Sequence, residues 1–127
     1  MMKKIALFAL LLASLSLHAQ KQQWKPFHEF RNLIDQTYET AAKGQLQPAK
    51  DSAIVLTAKA KELQASAIPP GYDARTLKSL LKKLVKDTEA LQSGVRKSKD
   101  DTDIKTLITQ VNATFQQIQA KCNDQLW

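Results

Sequence analysis

Four stretches of this chain repeat apolar residues at three- and four-residue steps, and links rich in glycine, proline or charge separate them. That spacing is the period of an α-helix, and each such helix carries a face that must be covered. The first stretch runs from Trp24-Lys25-Pro26 to Lys43, with Phe27, Phe30, Ile34, Tyr38 and Ala41 on one face and Leu33 beside them. Pro26 suits a first helical turn, where its missing N–H costs nothing, and Gly44 suits a left-handed C-terminal cap. The second opens at Pro48 and sets Ala49, Ala53, Leu56, Ala60, Leu63 and Ala67 in an a/d seam. Alanine favours helix and lets a neighbouring helix come close. Ile68-Pro69-Pro70-Gly71 ends it, because proline cannot continue a helix.

Asp73 is placed to cap a third helix, with Leu77, Leu81, Leu84, Thr88, Leu91 and Val95 as its seam and Leu80 and Val85 flanking. The polar run Arg96-Lys-Ser-Lys-Asp100 reads as a loop, and either Asp100 or Asp101 can cap the fourth helix. The fourth seam is Ile104, Ile108, Val111, Phe115, Ile118 and Cys122, with Leu107 beside it. No stretch alternates as a strand does. The expected fold is all-α, an antiparallel up-down-up-down four-helix bundle with short links.

The bundle does not use the first nineteen residues. Lys3 and Lys4 precede the apolar run Ile5–Ala13, and Ser14-Leu-Ser-Leu-His-Ala19 makes a small, polar exit. This is the pattern of a secretory signal peptide, too short to span a bilayer comfortably. Cleavage is expected after Ala19, leaving residues 20–127 as one bundle domain, periplasmic or secreted, with no transmembrane segment in the mature form. Loss of Lys3 and Lys4 leaves 17 of the 19 basic residues against 12 acidic ones. A mildly basic exported chain points away from nucleic acid and towards envelope or protein partners. The lone Cys122 excludes an internal disulfide, so burial of apolar area must hold the domain together. Whether Cys122 pairs between chains stays open at this point.

Up-down topology gathers the start of the first helix, the link between the second and third, and the end of the fourth. Trp24, His28, Pro69, Pro70, Tyr72, Cys122 and Trp127 fall at that end, and antiparallel counting puts His28 near Gln116. His28 and Cys122 are the candidate ligands for a transition metal there, with Trp24 and Gln116 as further binding candidates. Two donors do not complete a zinc site, which takes four ligands, or three and a water. His28 lies about 130° from the centre of its helix stripe, at the edge of the core or outside it. Cys122 sits in a seam, where a thiol behaves as a small hydrophobe. A buried thiol is a poor nucleophile, and no phosphate loop or nucleophile elbow occurs, so a non-enzymatic role is expected. The third helix also carries Arg75, Lys78, Lys82 and Lys86 along one face, with Lys83 adjacent. Lys78, Lys82 and Lys86 are the candidate contacts for an acidic envelope component or a client protein.

Over about residues 24 to 124 the chain resembles the small periplasmic four-helix bundles of the cytochrome b and cytochrome c-prime type. The resemblance lies in length, leader, helix order and the Pro69-Pro70 break. It implies the bundle fold but does not carry over the haem chemistry. The b-type members ligate iron with a methionine on the first helix and a histidine on the last. Here the chain after Ala19 has no methionine, and the fourth helix has no histidine. The c-type members attach haem through Cys-x-x-Cys-His. This chain ends Lys121-Cys-Asn-Asp-Gln-Leu-Trp127, so covalent haem is not expected. The chain is also similar to secreted bundles, mainly from Bacteroidetes, with a Trp-x-x-Phe-His start (Trp24, Phe27, His28) and a Gly-x-Leu-x-Pro link (Gly44, Leu46, Pro48). Their last helix reads His-x-x-Phe-His with a cysteine further on. Here Phe115 and Cys122 match, while Asn112 and Gln116 replace both histidines. That resemblance implies a scaffold kept with most of its ligands lost, His28 and Cys122 being what is left.

Overall fold

The computed structural model describes residues 24–126, with side chains as far as Cys122; the leader and its expected cleavage point, and Trp127, lie outside the described residues. Four helices account for nearly all of it: α1 (Lys25–Ala42), α2 (Gln47–Ala65), α3 (Ala74–Arg96) and α4 (Asp101–Leu126). No strand occurs among the described residues, and none of these helices is long and apolar enough to cross a membrane.

The helix ends form where local chemistry demands. Pro26 and Pro48 occupy the first turns of α1 and α2. Gly44 follows α1 with φ 86°; its N–H bonds the Ala41 carbonyl at 3.0 Å, and its left-handed backbone turns the Gln45 N–H onto the Thr40 carbonyl at 3.0 Å. Asp73 caps α3: its Oδ1 accepts from the Thr76 N–H at 3.2 Å, and its Oδ2 from the Thr76 hydroxyl at 2.6 Å. Of the two aspartates before α4, Asp100 is the cap, accepting from the Asp103 N–H at 2.9 Å. Asp101 instead reaches across the bundle to Lys50 at 2.9 Å.

Cross-helix pairs give the direction of each helix. Trp24 meets Ser66 and Glu29 meets Lys59, so α1 and α2 run oppositely. Asp87 meets Thr114, while Gly94 lies against Leu107, so α3 and α4 run oppositely too. The Lys50–Asp101 pair puts the starts of α2 and α4 at one end. Each helix packs on its neighbours in sequence, α1 closes the ring on α4, and α2 and α4 touch across the middle. The core is the four seams facing inward: Phe30, Ile34, Leu56, Leu63, Leu77, Leu84, Leu91, Ile104, Ile108, Phe115 and Ile118 are all buried. Full burial of each such side chain stabilises by about 1.5–3 kcal/mol before the entropy of ordering it is charged.

Three seam positions differ from the sequence reading. On α1 the core line runs through Thr37 and leaves Tyr38 half-buried. The Thr37 hydroxyl donates to the Leu33 carbonyl at 2.7 Å, so a polar side chain can occupy that position without an unpaired group. Ala67 is exposed because α2 ends at Ala65, where the Ser66 backbone turns extended and its N–H bonds back to Glu62. On α3 Gly94 is buried and Val95 only half-buried. A Cβ at Gly94 would stand 2.7 Å from Leu107 Cδ1, so the absence of a side chain there lets α4 approach.

Candidate functional site

The distinctive residues do gather at one end. Trp24, at the entry to α1, stacks on Phe27 with centroids 5.9 Å apart and lies 6.2 Å from Tyr72 in the α2–α3 link. Phe27 continues to Phe115 at 5.1 Å, and Phe115 to Phe30 at 5.0 Å. These tilted and stacked contacts run from the bundle's end into its core. The Trp24 indole N–H donates to Ser66 Oγ at 2.7 Å, and that hydroxyl donates to the Leu63 carbonyl at 2.7 Å. Trp24 is therefore a buried, satisfied plug over the end of the core rather than an open binding platform.

His28 is half-buried and sets its ring edge-on to Phe27, with centroids 5.4 Å apart. Cys122 is only 2 % exposed. Burial raises its thiol pKa from an ordinary 9.0 to about 11, so the sulfur is held as a neutral thiol. The Tyr72 phenol is also pushed up, first by burial and then by its proximity to Cys122. A neutral buried thiol is neither a ready nucleophile nor exposed enough to form a disulfide with another chain. Gln116, counted next to His28 from the sequence, is exposed. The buried amide of α4 is Asn112, because the helix turns its 108–111–115 line inward and position 116 falls outside that line. No group of three or more His, Cys, Asp or Glu side chains able to hold a metal occurs among the described residues. The end supplies an imidazole and a neutral thiol, which do not fit a metal centre on their own.

Sequence reasoning missed a polar assembly at the contact between α3 and α4. Thr114 on α4 is fully buried; its hydroxyl donates to Asp87 Oδ2 on α3 and accepts from Lys83 Nζ at 2.9 Å. Lys83 also pairs with Asp87 at 3.3 Å. Lys83, counted with the basic stripe in the sequence, is thus turned aside to brace α3 against α4. Thr57 does similar work between α2 and α3, its hydroxyl proton shared between the Ala53 carbonyl at 2.9 Å and the Thr88 carbonyl at 3.1 Å. Lys83 and Asp87, one turn apart on α3, and a threonine beside the seam of α4 were the available signal. It could not be read without the register between helices. A fully buried Thr114 with both hydrogen-bonding roles filled is a cross-brace, with no face open to a substrate.

The outer face of α3 is different. Arg75, Lys78, Lys82 and Lys86 are all exposed and share one side of the helix. At 1.5 Å per residue they span roughly 16 Å. Among the described residues no ion pair uses any of the four, whereas Lys50, Lys59, Lys61 and Lys83 each have a carboxylate partner. Glu29 is held below the usual carboxylate range by its hydrogen bond and charge pairing with Lys59. A shallow groove on the surface of α4 is lined by Thr102, Lys105, Thr106, Thr109, Gln110 and Ala113. Thr106 and Thr109 spend their hydroxyl protons on carbonyls of their own helix, which leaves the groove little to offer a ligand.

Comparison with known proteins adds no constraint: no family model matches the chain, and no curated protein or solved structure matches it.

Proposed function

We propose that this chain is a non-catalytic, exported binding protein that uses the outer face of α3 against an anionic surface of the cell envelope. The observation that carries the reading is the exposure of Arg75, Lys78, Lys82 and Lys86 on one face, unpaired among the described residues, whereas Lys83 on the same helix pairs with Asp87. Unneutralised cations on one side sum to a directed positive potential. The leader-like first nineteen residues support an envelope address, where acidic lipid headgroups present a dense anionic plane. The burial of Thr114 and Cys122 supports binding rather than nucleophilic chemistry. A metal role for His28 and Cys122 needs further donors from outside the described residues, and the donors at hand favour the basic face instead.

The test is co-sedimentation with vesicles of phosphatidylglycerol mixed into phosphatidylcholine, at low and at high salt. The protein is expected to bind the anionic vesicles, to release with added salt, and to ignore neutral vesicles. At about 1 kcal/mol per basic residue near an anionic membrane, the triple change Lys78→Glu, Lys82→Glu, Lys86→Glu should weaken binding by about a hundredfold or more. Equal binding by the triple variant would remove the α3 face from consideration.

A further inference from the structure

α2 has two seams. The inner one, Ala49, Ala53, Leu56, Ala60 and Leu63, is buried in the bundle. The outer one, Gln47, Asp51, Ile54, Ala58, Lys61 and Ala65, follows the same alternation of four- and three-residue steps and is exposed throughout. At its centre lie Ile54, 67 % exposed, and beside it Val55, 46 % exposed; they are the large hydrophobic side chains left in water among the described residues. Two large apolar side chains exposed side by side on a helix form a patch of the kind that a contact covers.

We propose that the outer seam of α2 is covered by the same seam of a second copy, forming a two-fold symmetric, antiparallel helix pair. The charge pattern selects this occupant. A two-fold axis crossing the helix at the level of Leu56 sets Asp51 opposite the partner's Lys61 and Lys61 opposite the partner's Asp51. The same axis sets Ile54 on the partner's Ala58, large against small, and Gln47 opposite the partner's Ala65. Every position of the seam meets a compatible one, as an isologous contact requires. The opposite alignment, with the helices parallel and in register, would set like charge against like. Neither charge is locked elsewhere: Lys61 has one long contact with Glu89 at 3.8 Å, and Asp51 accepts from the Gln47 amide on its own helix. One helix pair buries less than the ~800 Å² per partner of a standard stable interface, so the dimer is weak and forms with rising concentration.

Sedimentation velocity on the protein as cells release it, from micromolar towards millimolar concentration, tests this directly. A monomer–dimer equilibrium is expected. Ile54→Glu, Asp51→Lys and Lys61→Asp should each weaken it by about tenfold or more. The double variant Asp51→Lys with Lys61→Asp should restore it, because the swap re-forms both ion pairs. All three changes lie at exposed positions, and unchanged helical circular dichroism would confirm that each variant folds. A monomer at every concentration, a dimer indifferent to Ile54→Glu, or a double variant no better than the singles would overturn the proposal. A monomer in which Ile54 is nevertheless protected from solvent would also overturn it, and would assign the seam to another occupant such as the N-terminal apolar segment.

Discussion

At the Trp24 end, aromatic rings and a thiol are packed out of water and the Trp24 indole N–H is paired. On the outer face of α3, Lys78, Lys82 and Lys86 stand in water with no partner among the described residues. Both regions draw attention in the sequence, the first for its rare residues and the second for its repeated ones. The difference teaches that rarity and clustering mark cost as readily as function. Tryptophan, phenylalanine and cysteine are gathered because a bundle's open end must be stoppered by large apolar groups. Three like charges along one face bring no packing and repel one another, so nothing in the stability of the fold calls for them.

That contrast can be broken most forcefully from the packed side. Phe115→Ala removes the ring on which Phe27 and Phe30 both rest, and should cost about 3–5 kcal/mol in chemical denaturation. Binding to anionic vesicles should survive wherever the variant is still folded. A loss of less than 1 kcal/mol would mean that the end is not a packed core extension, and would reopen it as a site.

The thiol provides a pH-dependent version of the same test. Cys122 keeps its proton in the folded state up to about 11, whereas the unfolded chain releases it near 9.0. Its contribution is therefore complete below about pH 9 and is lost as pH rises from there through 11, because the unfolded state gains by ionising first. The loss should reach about 2–3 kcal/mol at most. Tyr72 and the lysines titrate nearby, so the informative quantity is the difference between the wild type and Cys122→Ala. That difference should vary with pH only in this window. A flat difference would mean that Cys122 is in contact with water.

Smaller effects belong to the surface. Asp73→Ala removes the cap of α3, and Thr76 loses both bonds that hold the carboxyl below its ordinary range. The melting temperature should fall by a few degrees, and the fall should vanish in acid once the wild-type carboxyl is protonated. Smallest of all is the stability change from the three lysine reversals on α3, expected within about 0.5 kcal/mol of wild type even as vesicle binding collapses. A large destabilisation there would show that the stripe supports the fold and would blur the contrast between the two regions.

Much of the bundle was legible in the linear pattern. Pro26, Gly44, Pro48, Asp73 and Asp100 act within one turn of themselves, so their roles as helix starts, stops and caps follow from local backbone chemistry. Residues such as Leu56, Leu84, Ile108 and Phe115 recur at helical spacing, and burying one stripe of each helix leaves little choice but to face the stripes together. The site was less legible. Gln116, a binding candidate in the sequence, faces solvent outside the buried line of α4, and Lys83, counted beside the basic stripe, also braces Thr114. Both depend on the rotation of one helix about its axis relative to the next, which a slip of one residue changes by about 100°.

The sequence by itself determined where the helices lie, which stripe of each is apolar, and that the chain must stabilise itself without a disulfide. These follow from interactions between residues three or four apart, or from composition. Only the tertiary structure decided that the gathered aromatics seal a core, that Cys122 is held neutral, and that Thr37 and Gly94 replace Tyr38 and Val95 at the helix contacts. It also decided which lysines are spent on carboxylates and which stand free. Those outcomes depend on the register and rotation between helices far apart in the chain, and are settled by how side chains of definite volume fill the space between them.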